Sequence, residues 1–163
     1  MILVTLGTQD KKFYRLLDEL NKLIKENKIT EEVIVQAGFS SDYKTDLMRI
    51  YNLISMDELD DLISQCDLLI THGGVGSILN GLKHNKKIIA VARLSKYKEH
   101  VNDHQIQIVD NFSREGYILK VDNITDLYNE IIKSKSFKPK KYHENNEEFV
   151  MFIEKKINEF IIK

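Results

Sequence analysis

The sequence predicts an α/β fold, a single parallel sheet with helices on both faces. Three observations predict it. Short runs of consecutive apolar residues recur along the chain, as in Ile2–Leu6, Glu32–Ala37, Asp67–Thr71 and Lys87–Ala92, and such runs suit strands buried on both faces. Stretches of about a dozen residues with helical apolar spacing separate them, which is the length of a parallel crossover. Glycine or polar clusters follow the strands directly, as they do where ligands bind in open α/β sheets.

The elements follow in order. Ile2–Leu6 is the first strand and stops at Gly7. Phe13, Leu16, Leu17, Leu20, Leu23 and Ile24 then share one face of an amphipathic helix. Glu32–Ala37 is the second strand, stopped by Gly38, and residues 40–46 read as a loop. Leu47–Ile54 is ambiguous, with Leu53 and Ile54 beside Tyr51 favouring a strand. Ser55 can cap a helix whose first turn holds Asp57 and Glu58, where the helix dipole favours acids; it runs to about Cys66. Asp67–Thr71 is a strand followed at once by His72-Gly73-Gly74-Val75-Gly76-Ser77 and a helix to His84. Lys87–Ala92 is a strand, Arg93–Glu99 a polar loop, and Val101–Arg114 a helix ending before Gly116. Tyr117–Val121 is the last strand and Ile124–Lys133 the next helix. Residues 1–134 thus form one Rossmann-like domain. Residues 135–143, which hold the only proline, read as a basic linker. A membrane surface or an acidic partner is the other reading of its lysines. Residues 144–163 read as an amphipathic helix packed on the domain or on a partner.

Composition narrows the function. The chain has 163 residues, 24 basic against 25 acidic, and a formal net charge of −1. That balance lacks the basic excess of a protein that coats nucleic acid. The single cysteine, Cys66, excludes an internal disulfide framework and any Cys-based zinc site. No HExxH pair occurs. Met1–Gly7 has no basic n-region, and no apolar stretch reaches the ~20 residues of a membrane span, so a soluble intracellular protein is expected.

Three strand-end loops carry candidate chemistry. The strongest is Thr71–Ser77. Its glycines let a ligand approach the backbone, the next helix offers unpaired N–H groups and a positive dipole end, and Ser77 adds a hydroxyl. That suits a phosphate or diphosphate. It is neither a P-loop nor GxGxxG, and a tight strand-to-helix turn is the plain alternative. The run Glu99-His100-Val101-Asn102-Asp103-His104-Gln105 offers donors and acceptors for sugar hydroxyls. Its plain alternative is a helix start capped by Asn102 or Asp103. The third loop is Gly7-Thr8-Gln9. All three should converge on one edge of the sheet.

Those residues carry a resemblance. The opening VTLGTQ, then THGGVGSI and KEHVNDHQ, in this order across Met1–Leu119, resemble the C-terminal domain of family 28 glycosyltransferases. The stand-alone small subunits of two-part transferases are the nearest type: the dolichol-pathway UDP-GlcNAc transferase catalytic subunit, and the bacterial capsular or exopolysaccharide β-1,4-galactosyltransferase subunits. The resemblance implies half of a GT-B fold, the half that binds the UDP-sugar. It implies that Gly73, Gly74, Gly76 and Ser77 hold the diphosphate, with Gly7 and Thr8 facing the same cleft and Arg93 in the loop that lines the nucleotide. His104 and Gln105 match donor-sugar positions, and Glu99 and Asn102 would shape that pocket. His72 is the one catalytic candidate. Two positions depart from the pattern: Asn80 stands where related enzymes place a ribose-binding Glu, and Ala92 where Pro precedes the Arg.

The resemblance further implies an inverting hexosyltransferase subunit that uses UDP-galactose or UDP-N-acetylglucosamine and needs no metal or other cofactor. A membrane-associated partner would bring the lipid-linked glycan acceptor and the general base. The chain would sit in the cytoplasm, peripheral to the membrane through that partner, and could form homodimers when isolated. A non-catalytic accessory subunit is the alternative. A nicotinamide dinucleotide enzyme fits less well, because Gly7 stands alone after strand one and strand two ends at Ala37-Gly38 without an acid.

Overall fold

A computed structural model describes residues 1–143 together with Met151, Glu154 and Lys155. The C-terminal helix expected over 144–163 lies outside the described residues, apart from those three. Six strands form one sheet: β1 (Ile2–Thr5), β2 (Val33–Gln36), β3 (Arg49–Tyr51), β4 (Leu68–His72), β5 (Lys87–Val91) and β6 (Leu119–Val121). Their order is β3-β2-β1-β4-β5-β6 and every pairing is parallel. Five helices accompany them: α1 (Tyr14–Lys25), α2 (Met56–Gln65), α3 (Val75–Lys83), α4 (His104–Arg114) and α5 (Leu127–Ser134).

Alternation along each strand sorts the core into two layers. Ile2, Val4, Val33, Val35, Leu68, Ile70, Ile89, Val91, Leu119 and Val121 pack with α1 and α5. Leu3, Ile34, Leu69, Ile88 and Ala90 point the other way and pack with α2, α3 and α4. Each interior strand is therefore apolar on both faces, which is why the runs read so clearly. Chain direction follows the same rule: the step from β1 to β2 puts α1 on one face, and the steps β4–β5–β6 put α3 and α4 on the other. The order reverses between β1 and β4, and the ligand crevice of an open sheet opens at such a switch point.

Two elements, β3 and α4, differ from expectation in their bounds. The β2–β3 crossover is the loop the sequence predicts, with a single 3₁₀ turn at Gly38–Ser40 in place of a crossover helix. It lies on α1 instead: the Ser40 hydroxyl accepts the Phe13 N–H at 2.9 Å, Tyr43 donates to Asp18 at 2.8 Å and Thr45 to Asn21 at 2.6 Å. The strand is Arg49–Tyr51, and Leu53 and Ile54 fall beyond it. Helix α4 begins at His104, three residues after Val101. Neither candidate closes a regular cap: Asp103 accepts the Ser95 N–H and hydroxyl at 2.7 and 2.9 Å, holding its own loop, and Asn102 takes the His104 N–H at 3.1 Å. In residues 135–143 the chain is irregular and mostly exposed, with Phe137 against the first layer and Tyr142 against the second.

A cleft at the switch point

The ends of β1 and β4 open into a cleft of about 310 Å³. Gly7, Thr8, His72, Gly74, Gly76 and Ser77 all line it. Two loops distant in sequence therefore meet there, as the topology requires. Thr5, Gln36 and Asn80 add polar groups, and Leu53, Ile54, Met56, Leu59 and Ile63 build an apolar wall.

Helix α3 starts in this cleft. Its N-cap is Gly74, no side chain caps it, and no acid sits in its first turn. Helix α2, next to it, is finished in the opposite way. Ser55 and Glu58 form a full capping box, and Asp57 and Glu58 occupy the first turn. Capping is thus supplied at α2 and withheld at α3, whose first turn lines the cleft with its N–H groups unpaired by any side-chain cap. Gly76 sharpens the point. A Cβ there would meet nothing within 4 Å. A glycine inside a helix costs about 1 kcal/mol relative to alanine, and no packing explains it here. The two other glycines of the cleft have steric reasons. Gly7 has φ of 72° and a Cβ would strike the His72 ring at 2.6 Å; at Gly74 it would reach His72 Nε2 at 2.4 Å.

His72 therefore sits with its imidazole between two glycines. It is 7% exposed, and its Nδ1 lies 3.4 Å from the Thr5 carbonyl oxygen. Burial pushes its pKa down to about 4, helped by the Arg93 cation. The ring is neutral at pH 7, so with Nδ1–H donated to Thr5 its Nε2 is a lone-pair acceptor. This has a measurable cost at low pH. The unfolded chain takes up this proton near the ordinary 6.5 and the folded chain only near 4. Stability is full above the upper value and falls as pH drops through that window, by about 3 kcal/mol in total. Urea unfolding between pH 7 and 4 should show this loss in the native protein and not in His72→Gln; equal pH slopes for the two would remove the assignment.

The remaining sequence candidates lie elsewhere. Gly73 is a packing glycine: a Cβ would meet Gln105 Cβ at 2.8 Å and Val109 Cγ2 at 2.9 Å, so it lets α4 close on the loop. Gln105 is buried and its side-chain oxygen accepts the Arg93 N–H at 3.1 Å. Glu99 is buried and holds Arg15 in a fork, both contacts at 2.9 Å, while also accepting the Leu94 N–H at 3.0 Å. It lines a separate depression on the α1 side with Arg15 and Tyr97. Arg93 is 1% exposed and spends its N–H groups on the carbonyls of Leu6, Lys11 and Glu99. Asn102 and His104 stand at the start of α4, outside the cleft lining. The sequence reading missed Gln36, whose amide donates to the Gly7 carbonyl at 3.3 Å and braces that loop. A polar residue ending a buried strand was the available signal. It also missed Arg15. Among the described residues no three His, Cys, Asp or Glu side chains gather as a cation site.

A six-stranded parallel sheet with a cleft at its switch point defines the class, a doubly wound α/β domain. The particular family follows from comparison with known proteins. The model of the glycosyltransferase family 28 C-terminal domain matches residues 1–160, and the chain belongs to that family. It is 29% identical over 109 residues to the UDP-N-acetylglucosamine transferase subunit ALG13 of Candida glabrata, covering 63% of this chain and 46% of that protein. The chain thus spans about half the length of that curated relative. Among solved structures, an NMR solution structure of ALG13 superposes with a TM-score of 0.56 at 20% identity, over 89% of this chain and 90% of that one. MurG from Acinetobacter baumannii gives 0.55 at 14% identity, over 83% of this chain and 42% of that one. The glycotransferase of kitacinnamycin gives 0.57 at 13%, over 83% and 35%. These likenesses bear on the fold.

Proposed function

We propose that this chain is the donor-binding, catalytic subunit of an inverting hexosyltransferase that uses a UDP-sugar, galactose or N-acetylglucosamine, in cell-surface polysaccharide or lipid-linked glycan synthesis. One observation carries the reading: α3 opens uncapped onto a cleft where Gly76 leaves the space of a side chain empty. An anion fits that end by dipole and by unpaired N–H groups. Ser77 and Thr8 add hydroxyls to a diphosphate, and the wall of Leu53, Ile54, Leu59 and Ile63 suits the flat face of a nucleobase. Family membership supports glycosyl transfer as the chemistry.

In this scheme an acceptor hydroxyl attacks the anomeric carbon of the donor. The bond from that carbon to the β-phosphate oxygen breaks, its electron pair leaves with UDP, and the configuration inverts. Helix α3 and Ser77 stabilise the charge that develops on the diphosphate, so no metal ion is required. Neutral His72, with its Nδ1–H given to the Thr5 carbonyl, accepts rather than donates a hydrogen bond at Nε2, which makes it a poor leaving-group acid. The base that takes the hydroxyl proton comes from a membrane-associated partner, which also holds the lipid-linked acceptor. The subunit is then cytoplasmic and peripheral through that partner. The naming of the ALG13 relative as a transferase subunit supports a two-part enzyme.

The test is thermal unfolding with UDP, UDP-galactose, UDP-N-acetylglucosamine and NADH. A ligand that binds only the folded chain stabilises it by about 2.7 kcal/mol at a hundredfold excess over Kd. A rise in Tm with uridine nucleotides, larger for one sugar and absent with NADH, is expected and names the hexose. No rise with any of them, alone or with the partner present, removes the reading. Binding without transfer after the partner is added converts it to the accessory subunit.

A further inference from the structure

Behind the loop that carries Gly7 and Thr8, where Arg93 bonds the Leu6 and Lys11 carbonyls, lies a cluster that the scheme above does not use. Arg93 is 1% exposed and stacks its guanidinium 4.8 Å from the Phe13 ring centroid. Its hydrogen bonds all go to backbone carbonyls: Nη2 to Leu6 at 2.6 Å, Nη1 to Lys11 at 2.9 Å and to Glu99 at 3.2 Å. Its Nε is buried with no partner. Leu6 and Lys11 bracket the loop that follows β1, and Glu99 lies in the connection that follows β5. One side chain therefore ties together two loops at the same edge of the sheet.

The charge count is as informative as the hydrogen bonds. The Glu99 carboxylate is spent on Arg15, with Nε and Nη2 each at 2.9 Å. Two buried or nearly buried guanidinia thus share one buried carboxylate. Asp10 attracts Arg93 only from a distance: its carboxylate is exposed, lies 4.0 Å from Lys11 and takes none of the Arg93 hydrogen bonds.

 The cluster keeps a net positive charge. For stability alone that is a costly arrangement, because a buried cation without its own carboxylate loses hydration and gains little in return.

We propose that Arg93 is a positioning residue of the donor site, clamping the β1 and β5 loops and lending the cleft a positive charge that the one buried carboxylate, forked on Arg15, does not cancel. The field reaches the cleft at His72. That ring faces the Thr5 carbonyl from β1, the backbones of Gly7 and Gly74, and Arg93 and His100 from the β5–α4 connection. Among these Arg93 is the largest charge acting on it, and it works with burial to keep the ring neutral. A fixed cation behind a neutral imidazole attracts an anion without competing for its hydrogen bonds. The identity of that anion, a nucleoside diphosphate, rests on the donor-site reading.

The test uses the full chain as wild type, Arg93→Gln and Arg93→Lys. NMR titration of the His72 imidazole is the first measurement. Its pKa should rise by about one unit in Arg93→Gln and stay low in Arg93→Lys; an unmoved pKa in Arg93→Gln overturns the proposal whatever the chain binds. Calorimetric Kd values for UDP, UMP and uridine are the second. Arg93→Gln should weaken UDP on the order of tenfold, UMP less and uridine hardly at all, with Arg93→Lys restoring the order. Equal losses for all three would reduce Arg93 to a structural clamp and overturn the charge. Should wild type bind no uridine compound, the donor-site reading fails on its own, and the titration with inorganic pyrophosphate binding still decides the role of Arg93. Arg93→Met, which fills the space against Phe13 without charge, replaces Arg93→Gln if that variant does not fold.

Discussion

Gly76→Asp is expected to abolish UDP binding while leaving the fold as stable as before, or more so. The two effects separate because of where the side chain goes. A Cβ at position 76 meets nothing within 4 Å, so no packing is lost. Replacing glycine in a helix gains up to about 1 kcal/mol, and an acid in the first turn gains a few tenths more from the dipole. The same carboxylate occupies the cleft and satisfies the N–H groups that a diphosphate would use. Like charges then face each other at contact distance. Calorimetry should find the UDP affinity reduced at least a hundredfold, on the order of 3 kcal/mol, with Tm unchanged or raised. Gly76→Ala should fall between, with Tm raised and binding weakened by the methyl group alone. A Gly76→Asp chain that binds UDP normally would show that the diphosphate does not use this helix end. A chain that unfolds would show that the glycine serves packing after all.

The contrast between Gly76 and its neighbours shows what a sequence can disclose. Strands β1, β2, β4 and β5 were legible because each is apolar on both faces, and a run of apolar residues is a local signal. The loop at Thr71–Ser77 was legible for the same reason: glycines and a following helix lie within a few residues of each other. Strand β3 was not. Arg49 and Tyr51 are exposed at the sheet edge, so the strand has no buried run to announce it. Leu53 and Ile54, which do look like a strand, lie past its end and form the cleft wall. Their hydrophobicity serves the site rather than the sheet.

The polar run from Glu99 to Gln105 is hard to read for a different reason. Its residue types suit sugar hydroxyls, yet what a side chain does depends on who reaches it. Glu99 is met by Arg15, 84 residues earlier, and Arg93 by the Leu6 carbonyl, 87 residues away. Gln105 turns back to the Arg93 backbone. Pairings over such separations follow from the order β1-β4-β5 and not from spacing. The glycine loop could be read alone; the buried arginines required the sheet.

Glu99→Gln should therefore cost stability rather than donor binding. The carboxylate is buried, accepts both arms of the Arg15 fork and takes the Leu94 N–H as well. Gln keeps the shape and one acceptor but leaves Arg15 and Arg93 without any buried counter-charge. Breaking a buried pair by removing one partner costs about 3–5 kcal/mol. In a chain of this size that corresponds to a fall in Tm on the order of 10 °C. The Arg15 side is the complementary measurement. Arg15→Met removes the cation and its bond to the Ala92 carbonyl, at 2.9 Å, but leaves Glu99 with Arg93 beside it, so its loss should be smaller. The double variant should then cost less than the sum of the two. Because Glu99 lies outside the cleft lining, UDP affinity measured below Tm should be undiminished in Glu99→Gln, and the ranking of UDP-galactose against UDP-N-acetylglucosamine should hold. A change in that ranking with Tm unaltered would return Glu99 to the sugar pocket, as the resemblance implies, and would mean that its fork with Arg15 opens when the donor binds.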